Sequence, residues 1–135
     1  MAHTAIDVAR QLFEQIEAKR PDGVAALYAD DVQVWHNFTN ATQTKAENLR
    51  VLGGLTKNVA QIRYEVVERV LLGDRVMQRH LLHCRVANGE EIVIPACIFV
   101  TVRDGKISRI DEYLDTAQSN ALGAAIERSR PAANP

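Results

Sequence analysis

Apolar residues recur at two different periods along this chain, and the change falls near its middle. Ala5, Ile6, Ala9, Leu12, Phe13 and Ile16 follow three- and four-residue steps, which predicts an amphipathic helix with a single apolar stripe. Thr4 can cap that helix, with Asp7 three residues on as a partner. Pro21 stops it and can open the next, because the first helical position needs no amide partner. A short second helix over 24–28 is broken by Asp30 and Asp31. A strand over 31–38 then carries Val32, Val34, Trp35 and Phe38, and 39–42 reads as a polar loop. Thr44 caps a third helix through Ala46, Leu49, Val51 and Leu52, which the Gly53-Gly54 pair ends or loosens.

Beyond residue 60 the runs become β-rich: 62–72, 76–87, 91–102 and 106–114. Gly73-Asp74, Asn88-Gly89 and Asp104-Gly105 stand between them, and Asn-Gly or Asp-Gly between apolar runs is the strongest short hairpin signal. Four strands in an antiparallel meander follow, with the strand after Asp31 pairing at an edge. Helices first and strands later make the fold class α+β, with the helices on one face of the sheet. A short helix around 121–126 is expected in the tail, 116–135, whose Ala- and Pro-containing end is expected to fray.

Loops of even length centred on the three dipeptides would fix the register. They place His80 opposite Cys97 and Cys97 opposite Glu112, and one rung along, Gln78 opposite Phe99 and Phe99 opposite Ile110. His80, Cys97 and Glu112 would then cross three strands on one apolar face, with the backbones of His80 and Glu112 roughly 10 Å apart. The Gly73-Asp74 turn sets Arg69 opposite Gln78 and Glu68 opposite Arg79, which turns Arg69 toward the same face unless a bulge intervenes. In this register Ile92, Ile94, Ala96, Ile98 and Val100 lie on the opposite face. The 92–102 strand is thus apolar on both sides, and a homodimer packed through the outer sheet face is expected.

Composition narrows the partners. The chain has 135 residues, 47 % of them hydrophobic, 24 % charged and 5 % aromatic, with a net charge of −1. That is the length of one domain, here 1–135. Near-neutral charge and few aromatics disfavour a nucleic-acid partner. No run approaches the roughly 20 apolar residues that cross a bilayer, and no signal-like segment stands at the start. Cys84 and Cys97, lacking a CxxC spacing, read as reduced thiols rather than a disulfide or zinc site. A cytoplasmic setting is expected, with neither a membrane partner nor a metal or other cofactor.

The closing run from Asp104 to Asp115, DGKISRIDEYLD, resembles the last strand of the nuclear transport factor 2-like superfamily. Its members include ketosteroid isomerase, limonene epoxide hydrolase and the SnoaL-like polyketide cyclases. The run from Tyr28 to Trp35, YADDVQVW, resembles the same family's helix-to-strand passage. The resemblance implies a cone-shaped α+β barrel, its N-terminal helices packed on a curved, mainly antiparallel sheet around an apolar pocket. Against limonene epoxide hydrolase, Asn37 matches an Asn and Trp35 replaces the Tyr of a Tyr-x-Asn that helps hold a water. Gln78-Arg79-His80 stands at an Arg-x-Asp, and Glu112 stands for the second catalytic Asp. The family's Asp-Arg-Asp set is therefore not preserved.

Position and resemblance together select His80 as a general base and Glu112 as its acid or orienting partner. Asn37 and Gln78 would position an oxygen, while Trp35, Cys97 and Phe99 would line the ligand's space. The plainer alternative for His80 is a core histidine bonded to Glu112 or a water. His36 and His83 fall on the other phase of their strands, suited to a surface or dimer interface. The expected activity is proton transfer, without a cofactor, on a small apolar, oxygen-bearing molecule by an isomerase, cyclase, hydratase or hydrolase. The alternative is a non-catalytic ligand-binding or dimerising module of the same fold.

Overall fold

A computed structural model of the chain describes residues 4–131. Helix α1, Ala5–Glu17, begins where the Thr4 side chain accepts from the Asp7 amide, and it buries Val8, Ala9, Leu12, Phe13 and Ile16. Helix α2, Pro21–Leu27, starts on its proline, and strand β1, Tyr28–His36, follows. The expected polar loop contains a three-residue strand, β2, Ala41–Gln43. Helix α3, Lys45–Asn58, opens with a reciprocal capping box between Thr44 and Glu47.

α3 runs through Gly53-Gly54 instead of ending there. The reason is tertiary. Leu49, Leu52 and Leu55 pack against the core on both sides of the pair, and that burial outweighs the propensity cost of two glycines.

Strands β3 (Gln61–Leu72), β4 (Arg75–Arg85), β5 (Glu91–Arg103) and β6 (Lys106–Leu114) form the expected antiparallel meander. β1 pairs in parallel with β6 at its edge, and β2 adds a last antiparallel strand. The curved six-stranded sheet runs β2-β1-β6-β5-β4-β3. The tail holds a longer helix than expected, α4, Thr116–Ser129, capped by the Asp115 side chain and burying Leu122 and Ala125. The end expected to fray, 132–135, lies outside the described residues. Helices α1, α3 and α4 all contribute to the concave side of the sheet. No helix among the described residues is long and apolar enough to cross a membrane.

The β3–β4 turn has the expected register, with Arg69 opposite Gln78 and Glu68 opposite Arg79. Its bulge at Val67 lies farther from the turn, before Glu68 and Arg69 along β3. The other two hairpins correct the sequence register by one residue each. Between β4 and β5 the Val86 amide donates to the Glu90 carbonyl at 3.0 Å, leaving a three-residue loop closed by Gly89 at φ +93°. Between β5 and β6 the turn is the expected two residues, with Asp104 and Gly105 both at positive φ, but a bulge follows. The pairing shifts there because Thr101 faces Arg109 while Val102 faces Ile107, which leaves Ser108 unpaired.

The two shifts turn β5 over relative to both neighbours. Cys97 pairs with Arg79 and Tyr113, and Phe99 with Met77 and Asp111, on the convex face. Ile94, Ala96, Ile98 and Val100 are the residues that point inward. β4 and β6 keep their common face, because two single-residue shifts cancel.

Candidate functional site

One rung of the concave face crosses five strands: His36 (β1), Glu112 (β6), Ile98 (β5), Gln78 (β4) and Arg69 (β3). The next rung carries Leu114, Ala96, His80 and Val66. Glu112 thus shares a row with Gln78, and His80 stands one step along the sheet. Above both rungs lies a cavity of about 210 Å³, walled by Leu12 and Phe13 of α1, Leu52 of α3 and Leu122 of α4. That is below the roughly 300–1,000 Å³ of drug-sized pockets and suits a small apolar molecule. Phe38 and Val51, each 51 % exposed, also line it and mark its open end.

His80, Glu112 and His36 all line this cavity. His36 Nε2 lies 3.1 Å from Glu112 Oε1, and its Nδ1 is buried with no partner among the described residues. The sequence phase that turned Trp35 inward had assigned His36 to the outside, and the structure reverses this. Val32 and Val34, each 2 % exposed, set the inward phase of β1, so His36 follows them and Trp35 faces out. The alternation Val32, Val34, His36 was the available signal, and the bulk of Trp35 masked it.

His80 is 2 % exposed. Its ring packs edge-on against Tyr64 and Phe13, with centroids 4.9 and 5.5 Å away. Arg69 Nε donates to Gln78 Oε1 at 2.7 Å, and Gln78 Nε2 lies 2.9 Å from His80 Nδ1. Gln78 is fully buried and held from both ends, so it reaches the cavity only through His80. Among the described residues, His80 Nε2 has no partner. Burial lowers the imidazole's pKa, Glu112 raises it in part, and Arg69 lowers it further.

The sign of that shift gives a prediction. His80 is harder to protonate folded than unfolded, so its contribution to stability is complete above the unfolded value of about 6.5. The contribution is lost as the pH falls from there through the lowered folded value. Thermal melts at pH about 7.5 and about 5 should show a larger loss of Tm in the wild type than in His80→Gln. Equal losses would contradict it.

A second polar chain borders the cavity and escaped the sequence reasoning. Tyr28 Oη donates to Asn48 Oδ1 at 2.7 Å, and Asn48 Nδ2 donates to Gln43 Oε1 at 2.9 Å. Asn48 is buried in α3, where helical periodicity gives no hint of a polar lining residue. Burial, and then Glu112, raise the Tyr28 phenol above its ordinary value, so it remains a donor.

Four residues expected to surround a ligand lie elsewhere. Trp35 stacks edge-on with Tyr113 at 5.1 Å and donates from Nε1 to Asn40 Oδ1, on the convex face. Asn37 spends its amide on β6, accepting from the Leu114 amide at 3.1 Å and donating to the Leu114 carbonyl at 3.2 Å. Cys97 lines a second groove with Val67, Arg79, Leu81, Pro95 and Tyr113 of the convex face, which also reaches His80, Ala96 and Leu114, and Phe99 lies under the Arg75 guanidinium. The one-residue shifts of β5 moved Cys97 and Phe99, and the β1 phase moved Trp35. His83 is on the convex side as expected, 3.0 Å from Glu65. Among the described residues, no three His, Cys, Asp or Glu side chains come together as a metal site.

Helices over one concave face of a mostly antiparallel sheet, with a polar rung beneath a largely apolar cavity, define an α+β cone. The SnoaL-like domain family model matches residues 9–110, and the chain belongs to that family. No curated protein matches the chain. Among solved structures, IdmH of Streptomyces antibioticus, provisionally designated a polyketide cyclase, is 19 % identical. The match covers 90 % of this chain and 99 % of that one, with a TM-score of 0.78. An LEH-like epoxide hydrolase of M. tuberculosis is 16 % identical over 93 % of this chain and 96 % of its own, with a TM-score of 0.74. A structure of TerC co-crystallised with polyporic acid is 20 % identical over 91 % and 98 %, with a TM-score of 0.73. At these identities the likeness concerns the fold.

Proposed function

We propose that this protein is a small, cofactor-independent enzyme of the SnoaL-like type. It moves a proton on a small apolar molecule that carries a carbonyl or enol oxygen, with His80 and Glu112 as the acid–base pair. The observation that carries this is their placement. Two ionisable side chains from strands two apart face one largely apolar cavity, and among the described residues a buried nitrogen of His80 lacks a partner. His36, beside Glu112, is a further polar group on the wall, as are Tyr28, Gln43 and Asn48. Asn37 and Gln78 have no free amide to offer a substrate, so oxygen positioning falls to the pair itself.

Solvent-deuterium incorporation into 2-tetralone and related cyclic ketones, followed by NMR, tests the proposal. Exchange above the buffer rate is expected for the wild type. His80→Ala and Glu112→Gln should lose that acceleration while still broadening the ketone's resonances on binding. Unchanged exchange in both variants would overturn the assignment.

The proposal extends to assembly. Leu81, Cys97, Phe99 and Trp35 on the convex face, beside exposed Val67 and Tyr113, suit a homodimer packed through that face. The two free cysteines accord with a reducing, cytoplasmic setting.

A further inference from the structure

Hydrogen-bond polarity along the polar rung fixes more than position. Arginine has no acceptor, so the Gln78 atom that faces Arg69 Nε at 2.7 Å must be the carbonyl oxygen. The other end of the same amide is then an NH2, and it lies 2.9 Å from His80 Nδ1. A donor there requires Nδ1 to accept. A neutral imidazole whose Nδ1 accepts carries its hydrogen on Nε2. Turning the Gln78 amide over would set NH2 against the arginine N–H and leave two donors facing each other in a buried place. Protonating Nδ1 would do the same at the other end of the amide. The chain therefore selects one tautomer of the neutral ring.

We propose that Arg69 and Gln78 are positioning residues that lock His80 as the Nε2–H tautomer, so that His80 offers the cavity a hydrogen-bond donor and not a base. This rests on the proposed acid–base site and divides its labour: Glu112 takes the proton, and His80 faces the oxygen that gains charge as it leaves. It reverses the roles expected from the sequence, where a histidine beside a glutamate read as base and partner. The unpartnered Nε2 fits this division, since a buried N–H left unpaired is unfavourable and an incoming oxygen would satisfy it. Burial disfavours a second proton on the ring, Glu112 favours it in part and Arg69 disfavours it, and the net downward shift agrees with the lock.

Long-range ¹H–¹⁵N spectra of the histidine rings in the unliganded, full-length protein read the tautomer directly. The wild type should show a bare Nδ1 and a protonated Nε2 for His80. Gln78→Glu keeps the shape and the contact with Arg69 but removes the only donor to Nδ1. Its carboxylate should draw a proton onto Nδ1, which changes that nitrogen's shift from bare to protonated. Arg69→Met releases the amide to turn, and should give a mixture of tautomers. A protonated Nδ1 in the wild type would overturn the lock, as would a bare Nδ1 retained in Gln78→Glu. The spectra need no substrate. Failure of ketone exchange with the expected tautomer intact would count against the enzymatic role alone, and exchange with the wrong tautomer would count against the lock alone.

Discussion

Glu112→Gln should lower ketone exchange by a factor of about 10²–10⁴, the usual contribution of a positioned acid or base. That corresponds to about 3–5 kcal/mol of transition-state stabilisation. The substitution changes one oxygen into an NH2 with almost no change in volume. The cavity wall formed by Ile98, Ile110 and Leu114 should persist, and so should ketone binding. His36 Nε2, 3.1 Å from Glu112 Oε1, keeps a possible acceptor in the amide oxygen. The loss should therefore fall on the chemical step and not on binding. A variant that binds the ketone as well as the wild type and exchanges it as fast would remove Glu112 from the reaction.

Leu81→Glu should convert a dimer into a monomer. Leu81 sits on the convex face of β4, opposite Pro95 of β5 and Glu65 of β3. Truncating a hot-spot residue at the centre of an interface costs about 2–4 kcal/mol, which raises the dimer dissociation constant about 30–1,000-fold. An added carboxylate beside Glu65 should reach the upper end. Sedimentation at micromolar concentration reads the change, and a wild type that runs as a monomer would contradict the assembly.

Cysteine alkylation gives an independent reading of the same change. Cys97 faces the convex groove and should react faster in the variant than in the wild type. Cys84 is buried, its thiol pushed up to about 11 by that burial, and it should stay inert in both. The sequence register had placed Ile94 and Ile98 on the outer sheet face. Both face inward, so charging them would damage the cavity wall and leave the convex face untouched.

Signals that act over a few residues were legible in the sequence. The stripe from Ala5 to Ile16, the Thr4 and Thr44 caps and the meander punctuated by three glycine turns all appear where the pattern puts them. The features that escaped depend on tertiary context. A single bulged residue at Ser108 and a three-residue loop closed by Gly89 have no strong signature, yet each reverses the facing of a strand. Cys97 and Phe99 were misplaced for that reason.

His80 and Glu112 remained on one face because the two reversals cancel between β4 and β6. The side of β1 was readable from Val32 and Val34, and following them would have brought in His36. Asn48, the continuity of α3 across Gly53-Gly54 and the length of α4 follow from packing that no local period records. Gln78 and Arg69 were legible as neighbours through a two-residue turn, whereas their hydrogen-bond polarity required coordinates.

The proposed function places proton transfer in the cavity between the helices and the concave rung. A crystal structure of Glu112→Gln, slowed in turnover, with 2-tetralone bound would test it most directly. The ketone is expected inside the cavity, its oxygen within hydrogen-bonding distance of His80 Nε2 and its α-carbon facing residue 112. A ketone seated in the convex groove, or lying in the cavity with its oxygen turned away from His80, would contradict it.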